Sequence, residues 1–179
     1  MTKEGYDDYR RYKLDKIENN REVDVLCTKK KSTPEDGPNR LHWNSTKWKD
    51  VRVGDIVKLI RDDWVPADLI LLASEGPNNV AYIETAALDG ETNLKSKQAI
   101  PILSEASDTV EKLASIKAEV VVEDPNIDLY NFEGKVIING ETRALTNNQV
   151  IYRGSILRNT PSCTALVIFS GEESKIRMK

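Results

Sequence analysis

The sequence holds little of the raw material for several common functions. Its longest unbroken apolar runs are five residues, Leu69–Ala73 and Ala165–Phe169, against the roughly 20 that a membrane-spanning helix needs. No stretch reads as a signal peptide. The two cysteines, Cys27 and Cys163, stand far apart, and His42 is the sole histidine. No usual zinc-ligand spacing results, and both thiols read as reduced and structural, in a cytosolic setting. Excess positive charge is missing too: 26 Lys and Arg against 29 Asp and Glu leave a net charge of −3. That balance argues against a general nucleic-acid binder. The chain contains no Gly-x-x-x-x-Gly-Lys-Ser/Thr phosphate loop, no Gly-x-Ser-x-Gly elbow and no Asp-Lys-Thr-Gly.

What is present is a chain of 179 residues, 39% hydrophobic and 31% charged, enough for one cored domain with or without an arm. Strand patterns dominate. Val23, Val25 and Cys27 alternate with polar neighbours across Glu22–Lys29. Leu41–Trp48 and Asp55–Ile60 read as strands on either side of a Val53-Gly54-Asp55 turn, and Asp68–Ala73 as a buried strand after Pro66. Val80–Thr85 alternates again, and Ala118–Glu123 carries three successive valines. Lys135–Ile138 and Glu141–Ala144 are joined by Asn139-Gly140, the dipeptide that favours a tight hairpin. Val150–Arg153, Ser155–Leu157 and Cys163–Phe169 complete the strands.

Three helices are predicted. One covers residues 2–19, with Tyr6, Tyr9 and Tyr12 at helical spacing, Asp7–Arg11 as an i,i+4 pair and a thin apolar stripe. A second runs from Ser104 to about Lys117, with Leu103, Ala106, Val110, Leu113 and Ile116 on one side and Ser104 or Asp108 as cap. A third begins within Gly171–Lys179. Lys30–Arg40, where the run Lys29-Lys30-Lys31 passes into Ser-Thr-Pro and then Asp-Gly-Pro, reads as a flexible loop. Trp43, Trp48 and Trp64 read as core or core-edge residues. The division expected is a helical arm over 1–20, a β domain over 21–170 and a separate closing segment over 171–179.

One loop stands out against this background: Leu88-Asp89-Gly90-Glu91-Thr92-Asn93-Leu94-Lys95. Asp-Gly is a strong turn signal, since the Asp side chain can bond its own backbone and Gly accepts φ > 0. Such a turn holds Glu91 out at a tip, with no Cβ on Gly90 to obstruct an approaching group. That geometry suits a carboxylate that acts on something outside its own domain.

Asp89-Gly90-Glu91-Thr92-Asn93-Leu94-Lys95 resembles the signature loop of the actuator domain of class-four P-type ATPases, the phospholipid flippases. Ion-pumping classes carry Thr-Gly-Glu there; Asp89 in place of that Thr, with Thr92 after the Glu, is the flippase pattern. The resemblance extends through Val53-Gly54-Asp55-Ile56-Val57, Val65-Pro66-Ala67-Asp68 and Leu69-Ile70-Leu71-Leu72, then Pro125-Asn126 to Phe132-Glu133-Gly134, Arg153-Gly154 and Leu157-Arg158-Asn159-Thr160. These ordered blocks cover about residues 9 to 175.

The resemblance implies a distorted jelly-roll or β-sandwich, lying on the cytoplasmic face of a eukaryotic membrane (Golgi, endosome or plasma membrane) between two membrane helices. Residues 1–20 would be a membrane-proximal arm and 171–179 the start of the path to the next membrane helix. Basic residues at both ends (Arg10, Arg11, Lys13 and Lys16; Lys175, Arg177 and Lys179) suit that placement. It implies that Glu91 positions the water that cleaves an aspartyl-phosphate on another domain, with Gly90 allowing close approach and Asp89 and Thr92 fixing the loop. Arg153, Arg158, Asn159 and Asn147-Asn148-Gln149 would dock the phosphorylation domain, or serve as ordinary turn and edge polarity; Glu84 reads as a surface residue. No cofactor is expected in this domain, with Mg and ATP belonging to the parent enzyme. Partners implied are the phosphorylation and nucleotide-binding domains and membrane helices of the same chain, an accessory membrane glycoprotein, and a phospholipid substrate, but no nucleic acid. The alternatives are the actuator of a cation pump and a stand-alone β-rich binding module.

Overall fold

A computed structural model describes residues 3–29 and 40–175. Among the described residues twelve strands run in chain order: β1 (Glu22–Lys29), β2 (Arg40–Lys47), β3 (Ile56–Ile60), β4 (Asp68–Ser74), β5 (Val80–Glu84) and β6 (Lys95–Gln98). They continue as β7 (Ala118–Val122), β8 (Gly134–Ile138), β9 (Glu141–Leu145), β10 (Val150–Ile151), β11 (Ile156–Arg158) and β12 (Ser162–Phe169). Four helices join them among the described residues: α1 (Lys3–Asn19), α2 (Ala86–Asp89), α3 (Pro101–Ala106) and α4 (Val110–Ser115). None is long and apolar enough to cross a membrane.

The strands form one six-stranded sheet in the order β10-β4-β12-β3-β1-β2 and two three-stranded sheets, β11-β5-β6 and β7-β8-β9. Each pairing among the described residues is antiparallel. The large sheet is the middle layer. Through Val57, Leu59, Leu69 and Leu71 its first face packs on Ala81, Ile83 and Leu157 of the β11-β5-β6 sheet. Its other face, through Ile70, Leu72 and Ile168, packs on Leu103 of α3, Leu113 of α4 and Val136 and Leu145 of the third sheet. Covered on both sides, β4 has no polar face to present, which is why Leu69-Ile70-Leu71-Leu72 is a continuous apolar run. The mainly β, sandwich-like expectation therefore holds, with a second cover of short helices and a hairpin sheet.

Several expectations need correction. The single helix from Ser104 is two short ones. Pro101 starts α3 early, as its fixed φ suits a first helical turn. The chain then breaks at Ser107–Thr109, where Thr109 is extended and its side chain accepts the Lys112 N–H to cap α4. Thr109, rather than Ser104 or Asp108, is the cap. Residues 171–173 form only a 3-10 turn, and 176–179 lie outside the described residues, as do residues 30–39 of the flexible loop expected over Lys30–Arg40, whose last residue opens β2 instead. Lys175, grouped above with a basic flank, is fully buried. Its ammonium donates to Glu123, Asn126 and the carbonyls of Asp128 and Asn131. Helix α1 has no buried residue; its three tyrosines face solvent, and it meets the domain near Trp48, where its Glu18 reaches Arg153 at 3.6 Å.

Candidate functional site

Strand β5 delivers the chain to the loop. Ala81 and Ile83 bury one face of it, its hydrogen bonds to β11 and β6 hold both edges, and Thr85 follows as a buried residue. The four-residue α2 comes next, so Asp89 ends a helix rather than opening a bare turn. Gly90 closes that helix in the left-handed conformation at φ +75°, donating its N–H to the Ala86 carbonyl. A Cβ built there would meet nothing within 4 Å. Gly90 thus serves the turn, and the space around it is open.

Asp89 anchors the loop. Its side chain is 6% exposed and accepts from the Thr85 hydroxyl at 3.0 Å, the Glu91 N–H at 3.0 Å and the Lys95 ammonium at 2.7 Å. Burial opposes ionisation of this carboxyl, but the bonds from Lys95, Glu91 N–H and Thr85 outweigh it and hold Asp89 below the usual carboxylate range. Pinned through its own backbone N–H, Glu91 carries a side chain that is 55% exposed and meets Lys95 at 3.1 Å. Thr92 is exposed, and its hydroxyl has no hydrogen bond among the described residues; the bonds that fix the loop come from Asp89, Thr85 and Lys95. Lys95 opens β6, opposite Ile83. The site is a fixed acidic anchor, a shared ammonium and one outward carboxylate.

The remaining polar candidates divide. Arg153 is 3% exposed and stacks over Trp48 at 5.5 Å; an inward role replaces the docking expected of it. Arg158 pairs with Asp62 at 2.7 Å and Glu84 at 3.3 Å, so Glu84 is a half-buried partner and no bare surface residue. Asn159 is exposed with φ +49°. Asn147–Gln149 is a 3-10 turn closed by a Thr146–Gln149 capping box, and the Asn147 carbonyl accepts the buried Lys97 ammonium at 2.6 Å. Burial, then the nearby Lys95 charge, pushes the Lys97 pKa down to about 8. Trp48 is buried and Trp43 half-buried, while Trp64 is 39% exposed beneath Arg21. Among the described residues no three His, Cys, Asp or Glu side chains come together to hold a metal ion. Thr85 and Lys95 were passed over by sequence reasoning. The i,i+4 spacing of Thr85 to Asp89 across the turn of α2 is the signal that was there to use.

A family model described as the P-type ATPase actuator domain matches residues 35–177. The chain is 42% identical over 99% of its length to the probable phospholipid-transporting ATPase DNF3 of Saccharomyces cerevisiae, of which it covers 14%. It is 51% identical over 84% of its length to the phospholipid-transporting ATPase dnf1 of Schizosaccharomyces pombe, covering 10% of that protein. To the human phospholipid-transporting ATPase ID it is 42% identical over 98% of its length, covering 13%. The chain thus spans a seventh or less of these relatives.

Proposed function

The chain belongs to the P-type ATPase actuator-domain family, and from that premise we propose that Glu91 is the carboxylate that orients water for hydrolysis of an aspartyl-phosphate carried by another domain of its parent. The observation that carries this reading is the exposure of Glu91, at 55%, on a loop whose neighbouring Asp89 side chain is almost fully buried and bonded by three donors. A rigid base and a free tip are what a group needs when it must meet a partner outside its own fold.

Phosphoryl transfer asks a protein chiefly for positioning and charge stabilisation. Glu91 accepts a proton from the attacking water as the water oxygen bonds to phosphorus. The bond from phosphorus to the aspartyl oxygen breaks, and aspartate carboxylate and inorganic phosphate remain. A placed general base contributes about 10²–10⁴ in rate. The open space about Gly90 leaves room for the phosphorylated group. The parent would carry ATP and Mg on its nucleotide-binding and phosphorylation domains, and the actuator would face the cytoplasm between membrane helices. An accessory membrane glycoprotein is a further partner of the parent.

The transported species is a phospholipid in this reading. Asp89 in place of the ion pumps' Thr supports it, as do relatives that bear the name phospholipid-transporting ATPase. Glu91→Gln in the full-length parent is expected to leave phosphorylation from ATP intact and to lengthen the life of the phosphoenzyme about 100-fold or more. Adding phospholipid should speed decay of the unsubstituted phosphoenzyme. Rapid decay in Glu91→Gln overturns the role of Glu91, and decay triggered by a cation instead of a lipid overturns the substrate class.

A further inference from the structure

Lys95 holds a position that a water-orienting Glu91 does not by itself require. Its ammonium touches two carboxylates at once, Asp89 at 2.7 Å and Glu91 at 3.1 Å. The two contacts differ in kind. Asp89 is 6% exposed and further bonded to Thr85 and the Glu91 N–H, so this pair is anchored. Glu91 is 55% exposed, and an ion pair that open to water binds weakly. The Lys95 backbone is fixed by the pairing of β6 with β5. The ammonium can therefore give up Glu91 and keep Asp89.

Charge makes the exchange productive. The tip carries two negative groups, Asp89 and Glu91, and one positive group, Lys95. Without the lysine, two carboxylates would have to approach a phosphoryl group that is itself anionic. Lys97, two residues on, offers no substitute, since it is buried and bonded to the Asn147 carbonyl.

We propose that Lys95 is a second working group of this loop: as Glu91 turns to the water, the Lys95 ammonium, still held by Asp89, passes from the Glu91 carboxylate to the oxygens of the phosphoryl group. This rests on the reading of Glu91 given above. The lysine makes and breaks no covalent bond and keeps its proton; it supplies fixed positive charge where negative charge has to be met. Burial opposes that charge, yet the bonds to Asp89 and Glu91 outweigh it and raise the Lys95 pKa above its ordinary value.

The test uses the full-length parent in four forms: unsubstituted, Glu91→Gln, Lys95→Met and Lys95→Arg. Each is read by phosphoenzyme decay and by inhibition with orthovanadate, a phosphoryl analogue, and formation of phosphoenzyme from ATP certifies a folded protein. Lys95→Met should slow decay about tenfold or more and raise the half-inhibiting vanadate concentration about tenfold. Lys95→Arg should recover most of both, since it restores the charge; should Lys95→Met not fold, Lys95→Gln replaces it. A Lys95→Met enzyme that slows in decay with unchanged vanadate inhibition would show that the lysine only shapes the loop, and the proposal falls. Unchanged decay and inhibition in Lys95→Met, beside a stalled Glu91→Gln, overturns the lysine and leaves Glu91 standing. Fast decay in Glu91→Gln overturns the reading beneath both.

Discussion

Lys95 and Lys175 each gather acidic and polar groups around an ammonium, in opposite surroundings. Lys175 is 0% exposed, donates to Glu123 at 2.9 Å, Asn126 at 3.0 Å and the Asn131 carbonyl at 3.2 Å, and bonds the Asp128 carbonyl as well. It lies over the rings of Phe132 and Tyr152. Its backbone N–H donates to Asp68, whose other oxygen accepts the Arg153 N–H. The segment from Glu123 to Phe132, the start of β4 and the chain after β12 are thereby tied at one point. Lys95 has two partners, one buried and one exposed. A charge sealed from water and satisfied by many acceptors holds structure, because removing it strands its partners. A charge that keeps one wet partner can change that partner at little cost. Both clusters are salt bridges by distance; burial separates their uses.

Four substitutions can break or sharpen this contrast. Lys175→Met should cost the most, about 3–5 kcal/mol, by leaving the Glu123 carboxylate and the surrounding carbonyls without their donor; urea unfolding measures it. Asp68 comes next. Burial pushes its pKa up to about 6 from 3.8, against the backbone bonds from Arg153 and Lys175 that favour the carboxylate. Between these values the folded chain holds a proton that the unfolded chain has released, so stability falls as pH rises from about 4 through 6. The change is roughly 3 kcal/mol, and Asp68→Asn should flatten it in pH-dependent unfolding. Gly90→Ala should cost about 1–2 kcal/mol, through the left-handed backbone alone, because a Cβ there meets no neighbour. Lys95→Met should cost under about 1 kcal/mol, its partners being shared with water or with Thr85 and backbone. A loss at Lys95 as large as that at Lys175 would erase the contrast.

How much of this was legible follows from what each element displays in its residue types. Alternation exposed β1 and β5, and unbroken apolarity exposed β4, because burial on one face or on two is written in the pattern. Asn139-Gly140 gave the β8–β9 hairpin, both residues adopting positive φ. The Asp89-Gly90 signal was correct in its parts, an Asp side chain bonding the backbone two residues on and a glycine at positive φ. Strand β6 was missed, since Lys-Ser-Lys-Gln has no apolar alternation and is held by its pairing with β5. The break at Ser107–Thr109 was overridden by a helical apolar stripe that spans it; local capping won. Lys175 and Arg153 were placed outside because a charged residue reads as solvated unless its partners are known, and those partners lie about 50 to 135 residues away in sequence.

The most direct measurement is reach. Glu91→Cys, in the full-length parent, places a thiol where the carboxylate stands, and its alkylation can be followed on the peptide by mass spectrometry. Alkylation should be rapid with no phosphoryl analogue bound, as the 55% exposure of Glu91 requires, and should slow at least about tenfold once beryllium fluoride, in place of the phosphoryl group, occupies the aspartate that would carry it. An equal rate in both states would mean that the loop never meets the phosphoryl group, and would contradict the account at its centre.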